Sequence, residues 1–272
     1  MSEQLEYNAL VKKRRACNTC MAIRAGKGGM HYRNQASFPG IFDADQIGNY
    51  STWAHDLNAQ VMIVGQDYCD AATYVRDEGR IQKKPIEDLE DAKEYSTETN
   101  YRLRLLVKEL GLDLGSPYLG SSTSGVFLSN AILCMKPGGM SDPNPQKVYN
   151  NCGANFLRPL IDLVRPRAII TLGVQATRSV LFTYLKSHPE FKALRAQGFK
   201  EVFQRRAIEL EKDRTLFPVY HPGSLGRMNR KKIEPYGPDG WSLQVEDWRR
   251  IKQMVAKGKK SGGEKGARYG VG

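Results

Sequence analysis

The stretch Val61 to Asp67, VMIVGQD, passes from four apolar residues directly into a glycine, an amide and an acid. A short apolar run rich in β-branched residues and ended by a glycine predicts a strand that is buried on both faces. Three more segments have this form: GVFLSNA at Gly125 to Ala131, RAIITLGVQAT at Arg167 to Thr177, and LFPVYHPG at Leu216 to Gly223. Four such strands predict a mostly parallel sheet.

Helical patterns alternate with these strands. TETNYRLRLLVKELG has leucines at helical spacing, with Gly111 at the position of a C-terminal cap. PQKVYNNCGANFLRPLIDLVRP is helical but contains Gly153 and Pro159, and VEDWRRIKQMVAK predicts the last helix. We therefore predict a single-domain α/β fold, an open four-stranded sheet with helices on both faces, over residues 1–256. Residues 1–60 form its N-terminal arm, and residues 257–272 form a basic, disordered tail.

Composition narrows the class of protein. The 272 residues are 40% hydrophobic, which suffices for a core, and carry a formal net charge of +12. This charge favours a polyanionic partner, although plain solubility would explain it as well. No run approaches the roughly 20 apolar residues of a membrane span, and the N-terminus lacks the apolar stretch of a secretory signal. We expect a monomer in the cytoplasm, associated with the nucleoid if the source is bacterial.

Polar residues follow the predicted strands. Ligands of open α/β sheets bind beyond the carboxyl ends of the strands, where Gln66, Asp67, Asn130, Gly173 and His221 would meet. An aspartate can activate water, an asparagine offers a donor and an acceptor to a planar base, and a histidine can stabilise a departing anion. The alternative is that each residue only forms a turn or caps a helix.

A basic segment follows His221. Leu225 is an isolated apolar residue, and four cations come after it, at Arg227, Arg230, Lys231 and Lys232. Such cations hold phosphates in nucleic-acid complexes, while an ordinary solvated basic loop is the alternative.

Cysteines suggest a metal site. Cys17 and Cys20 form a C-x-x-C pair, and Cys134 and Cys152 come singly later in the chain. Disulfides are rare in cytosolic proteins, so we do not expect these cysteines to form them. Four thiolates fit a [4Fe-4S] cluster. Zinc binds four cysteines as well, and simple burial is the third interpretation. Cys69 is left over; it is interpreted as a small core thiol, with a place in the lining of the pocket as the alternative.

Taken together, the motifs resemble those of the uracil-DNA glycosylase superfamily, and of its iron-sulfur (family 4-like) branch. GQDY resembles the first motif, VFLSNAILCMKPGG the second strand with its cysteine sequence, and HPGSLGR the closing loop. FLRPLIDLVRPRAIITLGVQAT is similar to the segment after the last cysteine of that branch. The resemblance extends from about Arg15 to Arg230.

This resemblance implies a DNA repair enzyme. It would be a monofunctional glycosylase that flips uracil, or another deaminated base, out of DNA and hydrolyses its N-glycosidic bond, leaving an abasic site. The implied catalytic residues are Asp67, which orients water, and His221, which stabilises the uracil anion with backbone amides near Gln66. The implied substrate-binding residues are Gly65, Gln66, Tyr68, Tyr95 and Asn130, with Tyr74 another candidate for stacking on the base. The implied DNA-binding residues are Ser224, Leu225 as the wedge, Arg227, Arg230 and Lys231. The implied cluster ligands are Cys17, Cys20, Cys134 and Cys152.

Two departures from the family pattern keep other functions open. The first motif has Tyr68 and Cys69 without the usual proline, and Gly223 replaces a serine, with Ser224 as the nearest hydroxyl. One alternative is a relative that binds damaged or abasic DNA with weak or no turnover. Another is a nucleotide-binding α/β protein with structural zinc, which leaves Leu225 in its basic segment unexplained.

Overall fold

The computed structural model describes residues 2–23, 32, 56–67, 98–114, 125–134, 143–185, 189–211 and 213–263. The strands are β1 (Val61–Gly65), β2 (Val126–Asn130), β3 (Ala168–Leu172), β4 (Ile208–Leu210) and β5 (Arg214–Val219). The helices are α1 (Glu3–Arg15), α2 (Glu98–Glu109), α3 (Gln146–Cys152), α4 (Arg158–Val164), α5 (Val174–Leu185), α6 (Pro189–Ala196), α7 (Phe199–Gln204), α8 (Ser224–Ile233) and α9 (Gly240–Gly263). None of the helices in these ranges combines the length and apolar character that a bilayer span requires.

The five strands form one sheet in the order β2-β1-β3-β5-β4. β1 pairs in parallel with β2 and β3, and β3 pairs in parallel with β5. The predicted α/β class and its four parallel strands are confirmed, but the strand count was one too low. The missing strand, β4, is a three-residue antiparallel edge strand, too short to give an apolar run.

Alternate residues of the strands enter two separate cores, as a doubly covered sheet requires. Met62, Phe127 and Ile169 pack on one face with α3, α4 and α5. Ile63, Leu128 and Ile170 pack on the other face with α2 and α9, where Trp248 is fully buried. The carboxyl ends of β1, β2, β3 and β5 consequently reach one rim of the sheet.

Three segments differ from the sequence-based expectation. The run Arg167 to Thr177 is divided by Gly173, whose φ of +89° turns the chain from β3 into α5. The basic segment after His221 is the helix α8, not a loop. The last helix continues to Gly263, past residue 257, where the disordered tail was predicted to begin.

The long helical segment in the middle of the chain contains a π-helical turn, Gly153–Leu157, between α3 and α4. Gly153 allows α5 to approach, because a β-carbon there would lie 2.9 Å from Thr183 Cγ2. Pro159 falls in the first turn of α4, where a missing N–H is tolerated. The two residues that disturbed the sequence pattern therefore mark a packing contact and a helix start.

Candidate functional site

Gly65 and Asn130 end the neighbouring strands β1 and β2 and stand directly opposite each other in the parallel register. A β-carbon on Gly65 would lie only 2.3 Å from Asn130 Oδ1, so only glycine fits beside this side chain. Asn130 is 1% exposed, and its Nδ2 is buried with no hydrogen-bond partner in the described part of the chain. A buried donor without an acceptor is costly and is satisfied when a ligand supplies one.

Asp67 follows β1 by two residues and is half-buried. Its Oδ2 accepts hydrogen bonds from Gln66 Nε2 at 3.1 Å and from Asn144 Nδ2 at 2.5 Å. Two donors on one carboxylate oxygen fix the orientation of the side chain. The Asp67 carboxylate is therefore oriented before any substrate arrives.

Tyr32 determines the orientation of Asn144. The Tyr32 hydroxyl donates to Asn144 Oδ1, so the amide nitrogen of Asn144 is the atom that faces Asp67. Tyr32 is 1% exposed, and this burial raises the pKa of its phenol, with Cys134 and Asp67 adding to the effect. Tyr32 thus remains a protonated donor, and Asn144 remains a donor to Asp67.

His221 lies two residues after β5, at the same rim. Its Nδ1 accepts the backbone N–H of Gly223 at 3.1 Å, so in the neutral ring the proton is on Nε2. His221 as a residue is exposed, but the protein around its ring desolvates the imidazole and lowers its pKa below the ordinary 6.5. The nearby charge of Asp67 opposes this shift. At neutral pH, His221 is therefore an uncharged hydrogen-bond donor through Nε2.

The backbone around His221 is held from several sides. Gln244 of α9 donates from Nε2 to His221 O at 2.9 Å and to Tyr220 O at 3.2 Å. A β-carbon on Gly226 would lie 1.9 Å from His221 O, so the first turn of α8 packs directly on this segment. Gly223 is equally confined, because its β-carbon would lie 3.0 Å from Thr99 Oγ1 and from His221 Nδ1. Thr99 therefore takes space that the side chain of a serine at 223 would need.

Helix α8 presents apolar side chains to solvent. Leu225 is 69% exposed, and Met228, three residues later, is 59% exposed. Residues three apart lie on the same side of a helix, so they form one projecting pair next to His221. The sequence identified Leu225 and not Met228.

The cations of α8 divide into two groups. Arg230 is 1% exposed and pairs with Asp247, with Nε 2.7 Å from Oδ2, so it ties α8 to α9 inside the protein. Lys231 Nζ donates to Gly237 O at 2.6 Å and to Pro238 O at 3.0 Å, which closes the turn after the helix. Arg230 and Lys231 are thus held by groups of the protein itself, whereas the sequence analysis expected them to contact DNA phosphates. Ser224 and Lys232 are exposed, and Arg227 is half-buried.

The four predicted metal ligands line a single cavity. Its other walls come from α1, α3 and the π-helical turn, and its lining is Arg14, Cys17, Cys20, Met21, Tyr32, Leu133, Cys134, Asn151, Cys152, Asn155 and Phe156. All four cysteines are free thiols. Cys20 Sγ accepts a hydrogen bond from Asn151 Nδ2 at 3.3 Å, while burial raises the pKa of Cys20.

Four cysteines are a donor set for either a [4Fe-4S] cluster or a zinc ion. No three His, Cys, Asp or Glu side chains in the described ranges are grouped closely enough to hold one metal ion. Each cysteine of a [4Fe-4S] cluster binds a different iron, so its sulfurs stand farther apart than those around tetrahedral zinc. Four free thiols around one cavity supply the composition that either site needs.

Four residues that the sequence placed at or near the site lie outside the part of the chain that the structure describes. Tyr68, Cys69, Tyr74 and Tyr95 fall beyond the described residues, so the stacking aromatic stays a prediction. Asn144, Tyr32, Thr99 and Gln244 belong to the site, yet the sequence analysis missed them. Only Asn144 had a signal, because DPNPQ at 142–146 has the composition of a turn before a helix, and α3 begins at Gln146.

Comparison with known proteins identifies relatives. Residues 53–238 match the sequence model of the Uracil DNA glycosylase superfamily. The chain is 25% identical over 138 residues to a type-4 uracil-DNA glycosylase of Sulfurisphaera tokodaii, covering 50% of this chain and 54% of that protein. It is 32% identical over 149 residues to a type-5 uracil-DNA glycosylase of Pyrobaculum aerophilum, covering 50% of this chain and 58% of that protein. The chain thus aligns with little more than half of each relative.

Proposed function

Since the chain belongs to the uracil-DNA glycosylase superfamily, we propose that it hydrolyses the N-glycosidic bond of deoxyuridine in DNA. The reaction releases uracil from a flipped nucleotide and leaves an abasic site. The sequence motifs, the named relatives and the rim of the sheet all support this activity.

Asn130 carries the proposal. Its Nδ2 is buried with no hydrogen-bond partner among the described residues, and its Oδ1, beside Gly65, is an acceptor on the same amide. An amide of this kind donates to a uracil carbonyl and accepts from the neighbouring ring N–H. Cytosine presents an amino group at the carbonyl position, which faces the Asn130 donor with another donor. Selectivity for uracil follows from that mismatch.

Asp67 and His221 supply the chemistry. Asp67 orients a water molecule and balances the positive charge that develops on the sugar as the bond between C1′ and the base nitrogen breaks. The water oxygen bonds to C1′, and its proton passes to Asp67. The electron pair of the broken bond leaves with uracil, whose anion accepts a hydrogen bond from His221 Nε2. Neutral His221 is suited to this role because it donates without first needing to be protonated.

Helix α8 serves DNA binding. The exposed pair Leu225 and Met228 enters the space that the flipped nucleotide vacates. We assign phosphate contacts to Ser224, Arg227 and Lys232 on α8, while Arg230 and Lys231 hold the helix in place. Some cations of α8 would thus bind DNA while others fix the helix to the protein, which explains why one short helix contains so many cations.

We assign Cys17, Cys20, Cys134 and Cys152 as the ligands of a [4Fe-4S] cluster that ties the N-terminal arm to the core. This assignment rests on the four free thiols around one cavity. Iron and acid-labile sulfide in the purified protein would support it, and stoichiometric zinc without iron would replace it.

A cleavage assay tests the function. Oligonucleotides with one uracil, hypoxanthine or xanthine, single-stranded and duplex, are incubated with the protein and then treated with alkali to break abasic sites. We expect strand breaks at uracil that disappear in Asn130→Ala, while undamaged DNA stays intact. If no base is released and abasic DNA is retained in a gel shift, the chain is a lesion-binding relative instead.

A further inference from the structure

A second cavity, of about 380 Å³, lies next to the candidate active site. It is bounded by one side of α5, the start of α3, and residues of α6 and α7. Val174 on its wall directly follows Gly173, and a β-carbon on Gly173 would lie 3.8 Å from His221 Cβ. Gln146, which also lines the cavity, comes two residues after Asn144, the donor to Asp67. Two walls of the cavity thus start at residues of the active site.

The lining of this cavity combines three kinds of group. Aromatic rings come from Phe182, Phe191 and Phe199, and amides come from Gln146, Asn150 and Gln197. Gln197 Oε1 is buried and has no hydrogen-bond donor within the described residues. Such an acceptor is satisfied by an N–H of a ligand. A ligand that fits all of this has a flat ring with N–H groups.

Two arginines complete the lining. Arg178 of α5 and Arg195 of α6 border the cavity and are exposed to solvent. Guanidinium groups bind phosphate through paired N–H donors, and stacking on aromatic rings is how proteins hold bases of single strands. The volume falls in the range of small-molecule sites, roughly 300 to 1,000 Å³. The phenylalanines suit a flat base, the amides suit its N–H groups and the arginines suit a phosphate, so the lining as a whole suits one nucleotide.

We propose that this cavity binds one nucleotide of the DNA strand that flanks the flipped base. Its base lies among the phenylalanines and its phosphate meets Arg178 and Arg195. The proposal rests on the proposed function, because it assumes that DNA enters the rim between Asp67 and His221. A strand that leaves the rim beside Gly173 reaches Val174 next, which is why a flanking nucleotide suits the position better than a free one.

The test uses the fluorescent base 2-aminopurine at each position flanking a non-hydrolysable 2′-fluoro-deoxyuridine in a single strand. With the wild-type protein we expect one flanking position to change fluorescence on binding. Val174→Phe, which places a ring in the cavity, and Arg178→Ala with Arg195→Ala should remove that change. Each variant should also bind the strand roughly tenfold more weakly, since stacking of one base contributes about 1 to 3 kcal/mol.

Lys200→Ala is the matched control, because Lys200 is an exposed cation of α7 that does not line the cavity. It should keep both the signal and most of the affinity. Should Val174→Phe fold poorly, the surface arginine variants still decide the question. The proposal fails if no flanking position responds, or if the response persists in the arginine variants. Because the assay needs no cleavage, a protein that shows the response and never releases uracil would refute the proposed function and leave this inference standing.

Discussion

Gly65 and Asn130 are packed so closely at the ends of β1 and β2 that a β-carbon on Gly65 would overlap Asn130 Oδ1, at 2.3 Å. Gly65, the glycine of the first motif, is therefore required by the packing of the site and not only by the turn after β1. It leaves room for the amide of Asn130 on the neighbouring strand, the group proposed to read the base.

Gly65→Ala should displace the Asn130 amide and lower kcat/KM for uracil. A misplacement of about 1 Å in a catalytic site costs on the order of 10²-fold, which is the loss we expect in single-turnover cleavage. Gly237→Ala is the control, because the nearest atom to its β-carbon would lie at an ordinary 3.4 Å. Equal activity of the two variants would show that Asn130 does not read the base.

Asp67→Asn should slow cleavage on the order of 10² to 10⁴-fold, the usual contribution of a positioned acid or base. The shape of the side chain stays, so binding to uracil-containing DNA should change little. Cleavage rates at saturating enzyme, together with gel-shift affinities, separate the two effects. Retention of the full rate would remove Asp67 from the mechanism.

Asn144→Ala should lower the cleavage rate less than Asp67→Asn does, because Gln66 still donates to the carboxylate. Hydrogen bonds to charged groups contribute about 1.5 to 3 kcal/mol, so a loss of roughly 10 to 100-fold is expected. The effect should fall on kcat and leave KM nearly unchanged. Combining Asn144→Ala with Asp67→Asn should add almost nothing, since both act through one oxygen, and additive losses would contradict the arrangement.

The pH profile should report His221. Desolvation lowers its pKa below 6.5, so the ring is neutral at pH 7 and becomes protonated only as the pH falls through that lowered value. Once protonated, it loses the Nδ1 acceptor that Gly223 N–H requires. Cleavage should therefore be flat around neutral pH and decline on the acid side. In His221→Gln this acid limb should vanish, and an unchanged midpoint would assign it to another group.

Leu225→Ala with Met228→Ala should impair duplex substrates more than single strands, because only a duplex leaves a gap to fill. Burying a side chain of this size stabilises a complex by about 1.5 to 3 kcal/mol, so roughly tenfold or more should be lost on duplexes. Leu5→Ala is the matched control, since Leu5 is 57% exposed on the remote helix α1. Comparable losses on both substrates would argue against a wedge.

The sequence predicted those parts of the fold that depend on local pattern. β1, β2, β3 and β5 are covered on both faces, so each needs an almost continuous apolar run, which is easy to recognise. Gly111 was predicted as a helix cap, and it has the positive φ of +79° that such a cap adopts. The polar residues after the strands could be placed at one rim because parallel strands end together.

Tertiary contacts account for what the sequence did not predict. Arg230 looked like a surface cation because its partner Asp247 lies on α9, seventeen residues away. HPGSLGR resembled a closing loop, whereas Gly223 leaves room for Thr99 and Gly226 lets the first turn of α8 pack on the His221 backbone. Asn144 and Tyr32 are distant from Asp67 in the chain, so only folding brings them to it.

The series of contacts from Tyr32 through Asn144 to Asp67 links the cysteine cavity to the candidate active site, which matters for how the protein is purified. Tyr32 lines the cysteine cavity at one end of this series of contacts, and Asp67, the proposed catalytic carboxylate, lies at the other. Oxidation of the cysteines during aerobic purification would disturb Tyr32 first and the orientation of Asp67 next. The proposed cluster would colour an anaerobic preparation brown and would bleach on oxidation. Both preparations should therefore be assayed side by side before low activity is attributed to the unusual first motif.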